Sequence, residues 1–277
     1  MFYTRLKVLC DPEFREILMA EVAEAGFDTF METDEGFEAY TDDSKEDTAQ
    51  LDFIKEKYKT VQPLIFYLDK VKKQNWNEEW EKNVEPIIVD KRCLIRAEFH
   101  KIPEKYQYEI IITPKMSFGT GHHQTTYLMI KAQLDIDHKN KNVMDAGCGT
   151  AILSIMASMR GATKIEAFDI DEWSIENGRE NAERNHCANI NIRQGTIRSF
   201  DWPEKFELIL ANINKNVLLD EIKVYASLLT PGGLLLLSGF YVSDIADLVA
   251  EAGQYNLTPQ VQDDRENWAC LLLKKAV

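Results

Sequence analysis

The order of predicted strands and helices indicates an α/β protein with a doubly wound, seven-stranded sheet that ends in an antiparallel hairpin. From Lys141 onward, short apolar strands alternate with helical stretches, which is the pattern of parallel βαβ units. The segments Thr258–Asp263 and Trp268–Lys274 are joined by a few polar residues, so no helix fits between them and they must pair antiparallel. A small α+β unit of the ferredoxin-like type precedes this domain.

The N-terminal part predicts a compact βαββαβ unit. Its first strand alternates in polarity, Asp11 is placed to start the first helix, and Gly26 can take the left-handed conformation that ends it. This order of elements is that of a ferredoxin-like module. The predicted strands are Tyr3–Leu9, Phe27–Glu32, Gly36–Tyr40 and Leu64–Leu68, and the predicted helices are Pro12–Ala25 and Asp47–Tyr58.

A polar stretch separates this unit from the larger domain. Residues 72–84 are polar except for Trp76, Trp80 and the final Val84, and the i, i+4 spacing of the two indoles puts both on one helical face. This pattern favours a linker helix that packs against one of the domains. We therefore predict an α+β unit at residues 1–70, a linker at 71–90 and a second domain at 91–277.

The elements of the larger part follow from its apolar runs and the turn residues between them. Strands are predicted at Pro86–Val89, Cys93–Ala97, Tyr108–Ile112, Asn142–Asp145, Lys164–Asp169, Asn189–Gln194, Leu208–Asn212 and Gly233–Ser238. Helices are predicted at Ala151–Met159, Glu172–Asn185, Asn216–Leu229 and Ser243–Glu251.

The charge balance restricts the partners of the protein. The chain has 277 residues and a net charge of −14, which repels phosphates, so we expect no direct binding to nucleic acid. Residues 1–50 hold 14 acidic and 4 basic residues. This excess is either solvated surface or a complement to a basic partner, and composition leaves both interpretations open.

Composition also bears on the compartment. The chain has no apolar run of about 18 residues, and its first residues have neither the long apolar stretch nor the small-residue cleavage site of a secretory signal, so we expect no such signal. Its five cysteines are scattered and form no CxxC pair, which is typical of reduced thiols. We expect a cytoplasmic monomer with no membrane association.

The first motif with chemical meaning is V-M-D-A-G-C-G-T at Val143–Thr150, which closes an apolar strand and opens a helix. Gly147 and Gly149 let the backbone turn tightly and approach a ligand, because no Cβ stands in the way. The N–H groups of the following helix can face the polar groups of that ligand. A dinucleotide-binding loop has a third glycine where this chain has Ile152, which argues against NAD or FAD. Asp145, Gly147 and Gly149 are candidate cofactor-binding residues.

The second motif is F-D-I-D at the end of the next strand, in which Asp169 lies 22 residues beyond Gly147. A carboxylate at this place can accept hydrogen bonds from both ribose hydroxyls of a nucleoside cofactor. Aspartate is also favoured at helix N-caps. We assign Asp169 to the ribose and Asp171 to the cap, and the two motifs together favour a nucleoside-containing cofactor.

The third motif is L-I-L-A-N-I-N, an apolar strand that ends in Asn212. The carboxyl ends of such strands form the edge at which open α/β sheets bind ligands. The amide of Asn212 offers donors and acceptors to a cofactor or to a substrate. Asparagine is also common in ordinary turns, so the argument depends on the neighbouring motifs.

The fourth motif is F-G-T-G-H-H-Q-T-T at residues 118–126. Two glycines around a threonine make a flexible turn that leads into a helix near Gln124, and its amides and hydroxyls can close over a cofactor. The two histidines lack the spacing and the Cys partners of a metal site, so we expect no metal and assign them to orienting the loop. The candidate cofactor-binding residues here are Phe118, Gly119, Thr120 and Gly121.

Together, F-G-T-G-H-H-Q-T-T, D-A-G-C-G-T, F-D-I-D and L-A-N-I resemble the motifs of the methyltransferase family that modifies the eleventh protein of the large ribosomal subunit. The similarity runs from about Trp76 to Gly239 and includes W-N-E-E-W and L-S-G-F. It implies a class I methyltransferase fold with S-adenosyl-L-methionine as the cofactor. By this resemblance, the cofactor-binding positions are Thr126, Gly147, Asp169 and Asn212.

The chain departs from the family pattern at several positions. Ala151 stands where most such enzymes have a third glycine, and Asn214 stands where an apolar residue is common. Lys115 and Ser117 replace small residues. The chain also lacks the N-P-P-aromatic motif with which base-modifying methyltransferases stack a flipped base, so a nucleobase substrate is disfavoured.

The resemblance implies a protein N-methyltransferase that modifies amines, lysine side chains or the α-amino group, of a basic large-subunit ribosomal protein. Asn212 is the candidate catalytic residue, which would orient the neutral amine, and the acidic unit at residues 1–70 would recognise the substrate. Two alternatives stay open: a methyltransferase for another protein or a small molecule with the same cofactor site, and a module that binds S-adenosylmethionine without catalysis.

Overall fold

The computed structural model describes residues 2–27, 29–33, 35–42, 47–59, 64–72, 85–113 and 123–277. The chain divides into two compact units, Met1–Trp80 and Glu81–Val277, which are described separately. The predicted linker helix with Trp76 and Trp80 lies outside the described residues, and so do Phe118, Gly119, Thr120 and Gly121.

The N-terminal unit is a four-stranded antiparallel sheet in the order β2-β3-β1-β4, with two helices. This strand order and the βαββαβ sequence of elements are those of a ferredoxin-like module, as predicted. Asp11 precedes a short 3-10 helix, Pro12–Phe14, but its side chain makes no capping bond. The strands are β1 (Phe2–Leu9), β2 (Thr29–Thr33), β3 (Gly36–Asp42) and β4 (Ile65–Lys72), and the helices are α1 (Arg15–Glu24) and α2 (Thr48–Tyr58).

The core of this unit follows from the alternation of its strands. Leu6 and Val8 of β1 are fully buried and pack with Phe37 of β3 and with residues of both helices, such as Leu18 and Ile54. Successive side chains of a strand point to opposite faces, so one face of the sheet carries the apolar residues and the helices cover it.

Two further groups of elements open the C-terminal unit. A three-stranded sheet is formed by β5 (Ile87–Val89), β6 (Cys93–Arg96) and β7 (Tyr108–Ile111), and the helix α3 (Gln124–Gln133) follows. β5 pairs antiparallel with β6. It therefore belongs to the C-terminal unit, although it lies in the stretch assigned to the linker.

The main sheet has seven strands in the order β10-β9-β8-β11-β12-β14-β13. All are parallel except β14, which pairs antiparallel with both β12 and β13. This confirms the predicted doubly wound sheet with its antiparallel hairpin. The strands are β8 (Asn142–Ala146), β9 (Lys164–Asp169), β10 (Ile190–Gln194), β11 (Phe206–Asn212), β12 (Leu229–Tyr241), β13 (Leu257–Arg265) and β14 (Trp268–Lys275). The helices are α4 (Ile152–Met159), α5 (Glu172–Arg184), α6 (Lys215–Leu228) and α7 (Ile245–Gly253).

β12 is longer than the predicted Gly233–Ser238. It begins at Leu229, which pairs with Phe206, and the register then shifts before Leu208 pairs with Leu234. Pro231 and Gly232 are typical turn residues, so the sequence predicted that the strand begins after them. In the structure, the shift in register accommodates both residues within β12.

Both faces of the sheet are buried, which explains why its central strands are continuous apolar runs. Along β11, Leu208 and Leu210 face the core formed with α3 and α4, whereas Ile209 and Ala211 face the core formed with α6 and α7. Because successive side chains of a strand point to opposite faces, the apolar residues of β11 contribute to two separate cores.

All five cysteines are buried and unpaired. No helix in the described part of the chain is long and apolar enough to cross a membrane.

The N-cap of α2 allows a test of the N-terminal unit. Asp47 accepts hydrogen bonds from the backbone N–H groups of Ala49 and Gln50 at 3.0 and 3.1 Å. We predict that Asp47→Ala destabilises this helix by about 1 kcal/mol and accelerates hydrogen exchange of its amides, measured by mass spectrometry.

The control is Asp52→Ala, which removes an exposed carboxylate from the same helix. Its ion pair with Lys55 spans 3.9 Å at the surface, where such pairs contribute little, so we expect nearly unchanged exchange. Equal effects of both variants would contradict the assignment of Asp47 as the cap.

Candidate functional site

The carboxyl ends of β9, β8, β11 and β12 meet at one edge of the sheet and surround a cavity of about 660 Å³. The chain order reverses between β8 and β11, which is where doubly wound sheets bind ligands, and the volume suits a small molecule. The residues that line the cavity are His123, Thr125, Thr126, Gly147, Cys148, Gly149, Ile152, Leu153, Phe168, Asp169, Ile170, Gly195, Thr196, Asn212, Ile213, Asn214, Val217, Asp220, Glu221, Gly239 and Trp268.

The predicted glycine turn forms one wall of this cavity. Gly147 and Gly149 have φ angles of +68° and +51°, a conformation that glycine adopts without strain. The amides of Gly147 and Cys148 donate to the Phe168 carbonyl at 2.9 and 3.0 Å. A Cβ on Gly147 would lie 2.4 Å from Cγ2 of Ile213. Both the turn and the close packing therefore require glycine at 147.

Ala151, the departure from the family pattern, also lies in the left-handed region, with φ at +61°. Side chains other than glycine adopt this conformation at a cost of about 1–2 kcal/mol. A glycine at this position would adopt the same conformation without strain. In this chain, the turn holds alanine in a strained backbone conformation.

Asp169 connects the turn to the neighbouring strand. Its Oδ2 accepts a hydrogen bond from the Gly149 amide at 2.9 Å, and its Oδ1 accepts one from the Asp171 amide at 3.1 Å. Asp171 caps α5 by accepting from the amides of Trp173 and Ser174, as the sequence predicted. Asp169 also lines the cavity, so its carboxylate is fixed in place for a ligand. Its bond to ribose remains a prediction.

Two further predicted residues present buried polar atoms at this cavity. Among the described residues, Oγ1 of Thr126 and Oδ1 of Asn212 have no hydrogen-bond partner. Buried polar groups without partners are rare in proteins and are costly. A ligand with hydrogen-bonding groups would satisfy both, so the residues present fit a polar nucleoside cofactor.

Asp145 is placed differently from the other candidates, because it lies below the turn and does not line the cavity. It is fully buried, and its Oδ2 accepts from the amide and the hydroxyl of Ser154 at 3.0 and 2.6 Å. Burial raises the pKa of Asp145 to about 7. Its observed contact holds the first turn of α4, and a direct contact with a cofactor stays a prediction.

Trp268 lines the cavity beside His123 and was not among the residues predicted from the sequence. The rings of His123 and Trp268 lie 4.6 Å apart, and those of Trp268 and Tyr241 lie 4.2 Å apart. His123 caps α3 by accepting from the Thr125 amide, which agrees with its predicted orienting role. Burial lowers the pKa of the His123 imidazole. The neutral ring does not repel a cationic ligand.

Other lining residues were also missed. Gly195 follows β10 and donates its amide to the Asp169 carbonyl at 2.8 Å, and Thr196 comes next. Ile170 lines the cavity although it is 72% exposed. Glu221 is buried and accepts from the hydroxyl of Tyr225. Of these residues, only Gly195 could have been found from the sequence, because it is a glycine that directly follows a strand. The other side chains reach the cavity only through tertiary packing.

Comparisons with known proteins agree with this geometry. The family model described as "Ribosomal protein L11 methyltransferase (PrmA)" matches residues 14–276. The ribosomal protein L11 methyltransferase of Bacteroides thetaiotaomicron is 40% identical over 265 residues, which is 95% of this chain and 94% of that protein. The Porphyromonas gingivalis protein of the same name is 42% identical over 258 residues, 92% of this chain and 89% of that protein. The crystal structure of the ribosomal protein L11 methylase from Lactobacillus delbrueckii subsp. bulgaricus has a TM-score of 0.65, 27% identity, and covers 70% of this chain and 100% of its own.

We predict that Asp169→Ala weakens binding of S-adenosylmethionine by about 1.5–3 kcal/mol, the size of a charge-assisted hydrogen bond. Isothermal titration calorimetry measures the change. Asp171→Ala is the matched control, because it removes a carboxylate two residues away that caps α5. We expect it to lower stability by about 1 kcal/mol and to leave the affinity unchanged. An unaltered dissociation constant in Asp169→Ala would show that this residue only braces the turn.

A second prediction concerns Gly239, whose φ is +95° and whose added Cβ would lie 2.2 Å from the Ile213 carbonyl oxygen. We expect Gly239→Ala to lower the free energy of unfolding by about 2–4 kcal/mol and to weaken cofactor binding, because Ile213 follows Asn212 at the cavity. Thermal unfolding and calorimetry measure the two effects. Gly253→Ala is the control, since a Cβ there meets no atom within 4 Å. Normal affinity in a folded Gly239→Ala variant would contradict this prediction.

Proposed function

This chain belongs to the ribosomal protein L11 methyltransferase family, and on that premise we propose that it transfers methyl groups from S-adenosylmethionine to amino groups of ribosomal protein L11. The observation that carries the proposal is the cavity, where the glycine turn and Asp169 meet two buried polar atoms, on Thr126 and Asn212, that have no hydrogen-bond partner among the described residues. A nucleoside cofactor with an amino-acid tail has groups that pair with each of them.

Each of these residues has a defined task in binding. The Asp169 carboxylate would accept from the ribose hydroxyls, and the turn at Gly147 and Gly149 would let the cofactor approach the backbone. Thr126 and Asn212 would pair with its remaining polar groups. When bound, S-adenosylmethionine supplies an electrophilic methyl group on a positively charged sulfur.

The chain's own contribution to catalysis is positioning. Methyl transfer needs the amine nitrogen in line with the methyl carbon and the sulfur, and correct alignment provides most of the acceleration. Asn212 lies at the carboxyl end of β11 and lines the cavity, where its amide would orient the amine. The neighbouring Asn214 caps α6 by accepting from the Val217 amide, so it is held by the helix.

A lysine amine must be neutral to attack, although its ordinary pKa is about 10.4. The rings of His123 and Trp268, which line the cavity, would exclude water from the amine, and desolvation lowers the pKa of an ammonium group. The positive sulfur would lower it further by repulsion. Aromatic faces also attract the cation before it loses its proton.

The acidic N-terminal unit would bind the substrate. Residues 1–72 hold 17 acidic and 9 basic residues. Arg5 and Lys7 are engaged inside the unit, with Asp69 at 2.6 Å and Glu35 at 3.2 Å. Each of these pairs neutralises one acid and one base, so the excess of acidic over basic residues is unchanged and the unit presents a negative field, which complements a basic ribosomal protein.

We further propose that the enzyme acts as a monomer in the cytoplasm. The described residues that line the cavity all come from one unit of one chain, which supports a site formed within a single copy. A substrate that is a ribosomal protein favours the cytoplasm as the place of the reaction.

The direct test is mass spectrometry of L11 after incubation with the full chain and S-adenosylmethionine, in which each transferred methyl group adds one methylene mass. We also predict that a truncated chain starting at Glu81, where the C-terminal unit begins, binds the cofactor normally but methylates L11 at least tenfold more slowly. The full chain should lose a similar share of its rate on L11 when the salt concentration is raised from about 0.1 M to 1 M, because the Debye length then falls from about 10 to 3 Å.

A short lysine-containing peptide serves as the control substrate, because it has no surface for the N-terminal unit to recognise. We expect both chains to methylate it equally slowly. If the truncated chain methylates L11 as fast as the full chain, the N-terminal unit does not recognise the substrate.

A further inference from the structure

The cavity contains a buried carboxylate to which the proposed function gives no task. Glu221 lies in the second turn of α6 and lines the cavity, although only 6% of the residue is exposed. A glutamate is rarely buried to this degree unless its charge has a partner. The contacts of its two oxygens therefore indicate which kind of ligand group it can meet.

One oxygen of this carboxylate is occupied within the chain. The hydroxyl of Tyr225, one turn further along α6, donates to Oε2 of Glu221. Burial and, after it, the adjacent Glu221 carboxylate raise the pKa of Tyr225 well above its ordinary value. The tyrosine thus keeps the proton that it donates. Because Tyr225 is fully buried in the core, it holds the carboxylate in place.

The other oxygen is left for a ligand. Oε1 of Glu221 accepts no hydrogen bond from the described residues, while the side chain lines the cavity. An ionised carboxylate can only accept hydrogen bonds. The group of the ligand that meets Glu221 must therefore be a donor.

The adjacent acid, Asp220, also lines the cavity but is already paired. Its Oδ2 accepts from Nη1 of Arg198 at 2.7 Å, and its carbonyl oxygen accepts from Nη2 at 3.2 Å. This pair balances the charge of Asp220. It also holds the second turn of α6 beside the segment that follows β10, and Glu221 with it.

The segment after β10 lies next to the residue assigned to the ribose. Gly195 donates its amide to the carbonyl of Asp169 at 2.8 Å. The amide of Thr196 donates to the hydroxyl of Ser199 at 3.0 Å, and the two hydroxyls lie 3.1 Å apart. The polar side chain of this segment is thus in use, and the free acceptor on this side of the cavity is offered by Glu221.

The order of the strands indicates which part of the cofactor reaches this side. The sheet runs β10-β9-β8-β11, so the end of β10 and Asn212 of β11 lie on opposite sides of Asp169 in β9. A nucleoside with an amino-acid tail carries its base and its tail on opposite sides of the ribose. With the ribose at Asp169 and the tail toward the glycine turn and Asn212, the base lies toward Thr196 and Glu221.

The base of S-adenosylmethionine offers one kind of donor. Its 6-amino group donates hydrogen bonds, whereas its ring nitrogens accept them. We propose that Glu221 is a specificity-determining residue whose Oε1 accepts a hydrogen bond from this amino group, while Tyr225 holds the carboxylate in position. This rests on the proposed function, which supplies the cofactor. It makes a side chain on α6 responsible for selecting the base.

The test measures the affinity of the full chain for two ligands by isothermal titration calorimetry. One is S-adenosylhomocysteine, the product that methyl transfer would leave, and the other is its analogue with hydrogen in place of the 6-amino group. We expect the wild type to bind S-adenosylhomocysteine at least about tenfold more tightly than the analogue, because the analogue lacks the hydrogen bond to a charged acceptor.

Two variants of Glu221 should lower this preference in steps. In Glu221→Gln the amide oxygen can still accept from the amino group but carries no charge, so the preference should fall to about threefold. In Glu221→Ala no acceptor is left, and the two ligands should bind about equally. The ratio of the two dissociation constants stays informative if a variant is partly misfolded, because misfolding weakens both ligands alike.

Asp220→Asn is the matched control, because it changes the neighbouring carboxylate in the same way. Asp220 is engaged by Arg198, so we expect this variant to keep the wild-type preference. A loss of preference in Asp220→Asn but not in Glu221→Gln would assign the selection to the wrong acid and overturn the proposal.

The remaining outcomes separate this inference from the proposed function. A wild type that binds both ligands equally tightly overturns the role of Glu221 while the cofactor site stands. A preference that persists in Glu221→Ala overturns it as well. A wild type that binds neither ligand contradicts the proposed function and this inference together.

Discussion

The site depends first on the hydrogen bond from the Gly149 amide to the Asp169 carboxylate, at 2.9 Å. It joins the carboxyl ends of two neighbouring parallel strands, β8 and β9, and so keeps the turn at the edge of the cavity. The carboxylate also accepts from the Asp171 amide and is therefore held in one orientation. A protein side chain that is already fixed before binding loses little conformational entropy when the ligand binds. The same contact thus serves the fold and prepares the binding surface.

Close packing around Ile213 imposes a second constraint. A Cβ on Gly147 would meet its side chain at 2.4 Å, and a Cβ on Gly239 would meet its carbonyl oxygen at 2.2 Å. Ile213 is thus enclosed by two glycines from the ends of β8 and β12, next to Asn212. The apolar strands, buried on both faces, determine where their ends lie, and the glycines determine how closely those ends approach. A protein interior packed to this density transmits small changes at one strand end to the next.

The proposed function assigns the two tasks of a protein methyltransferase to separate parts of the chain. The described residues that line the cavity all belong to the C-terminal unit, and its glycine turn and mostly apolar walls suit alignment of an amine. The N-terminal unit contains a large share of the negative charge, and two basic residues of its first strand, Arg5 and Lys7, are paired internally. Long-range attraction and local alignment have different physical requirements, since charge acts over a Debye length and alignment acts over a fraction of an ångström. Separate units can meet both requirements without conflict.

The sequence by itself determined the features that arise from local patterns. Alternating apolar runs and turn residues predicted the order of strands and helices, and the short connection before Trp268 predicted the hairpin, because these depend on neighbours along the chain. The cap that Asp171 forms was also predictable, since a cap is a contact over two or three residues. Only the tertiary structure decided that Asp145 lies beneath the turn and that Trp268 reaches the cavity beside His123. It also decided that Asn181 holds Thr113, 68 positions away. Such contacts leave no periodic signal in the sequence, because they depend on which faces the packed sheet and helices bring together.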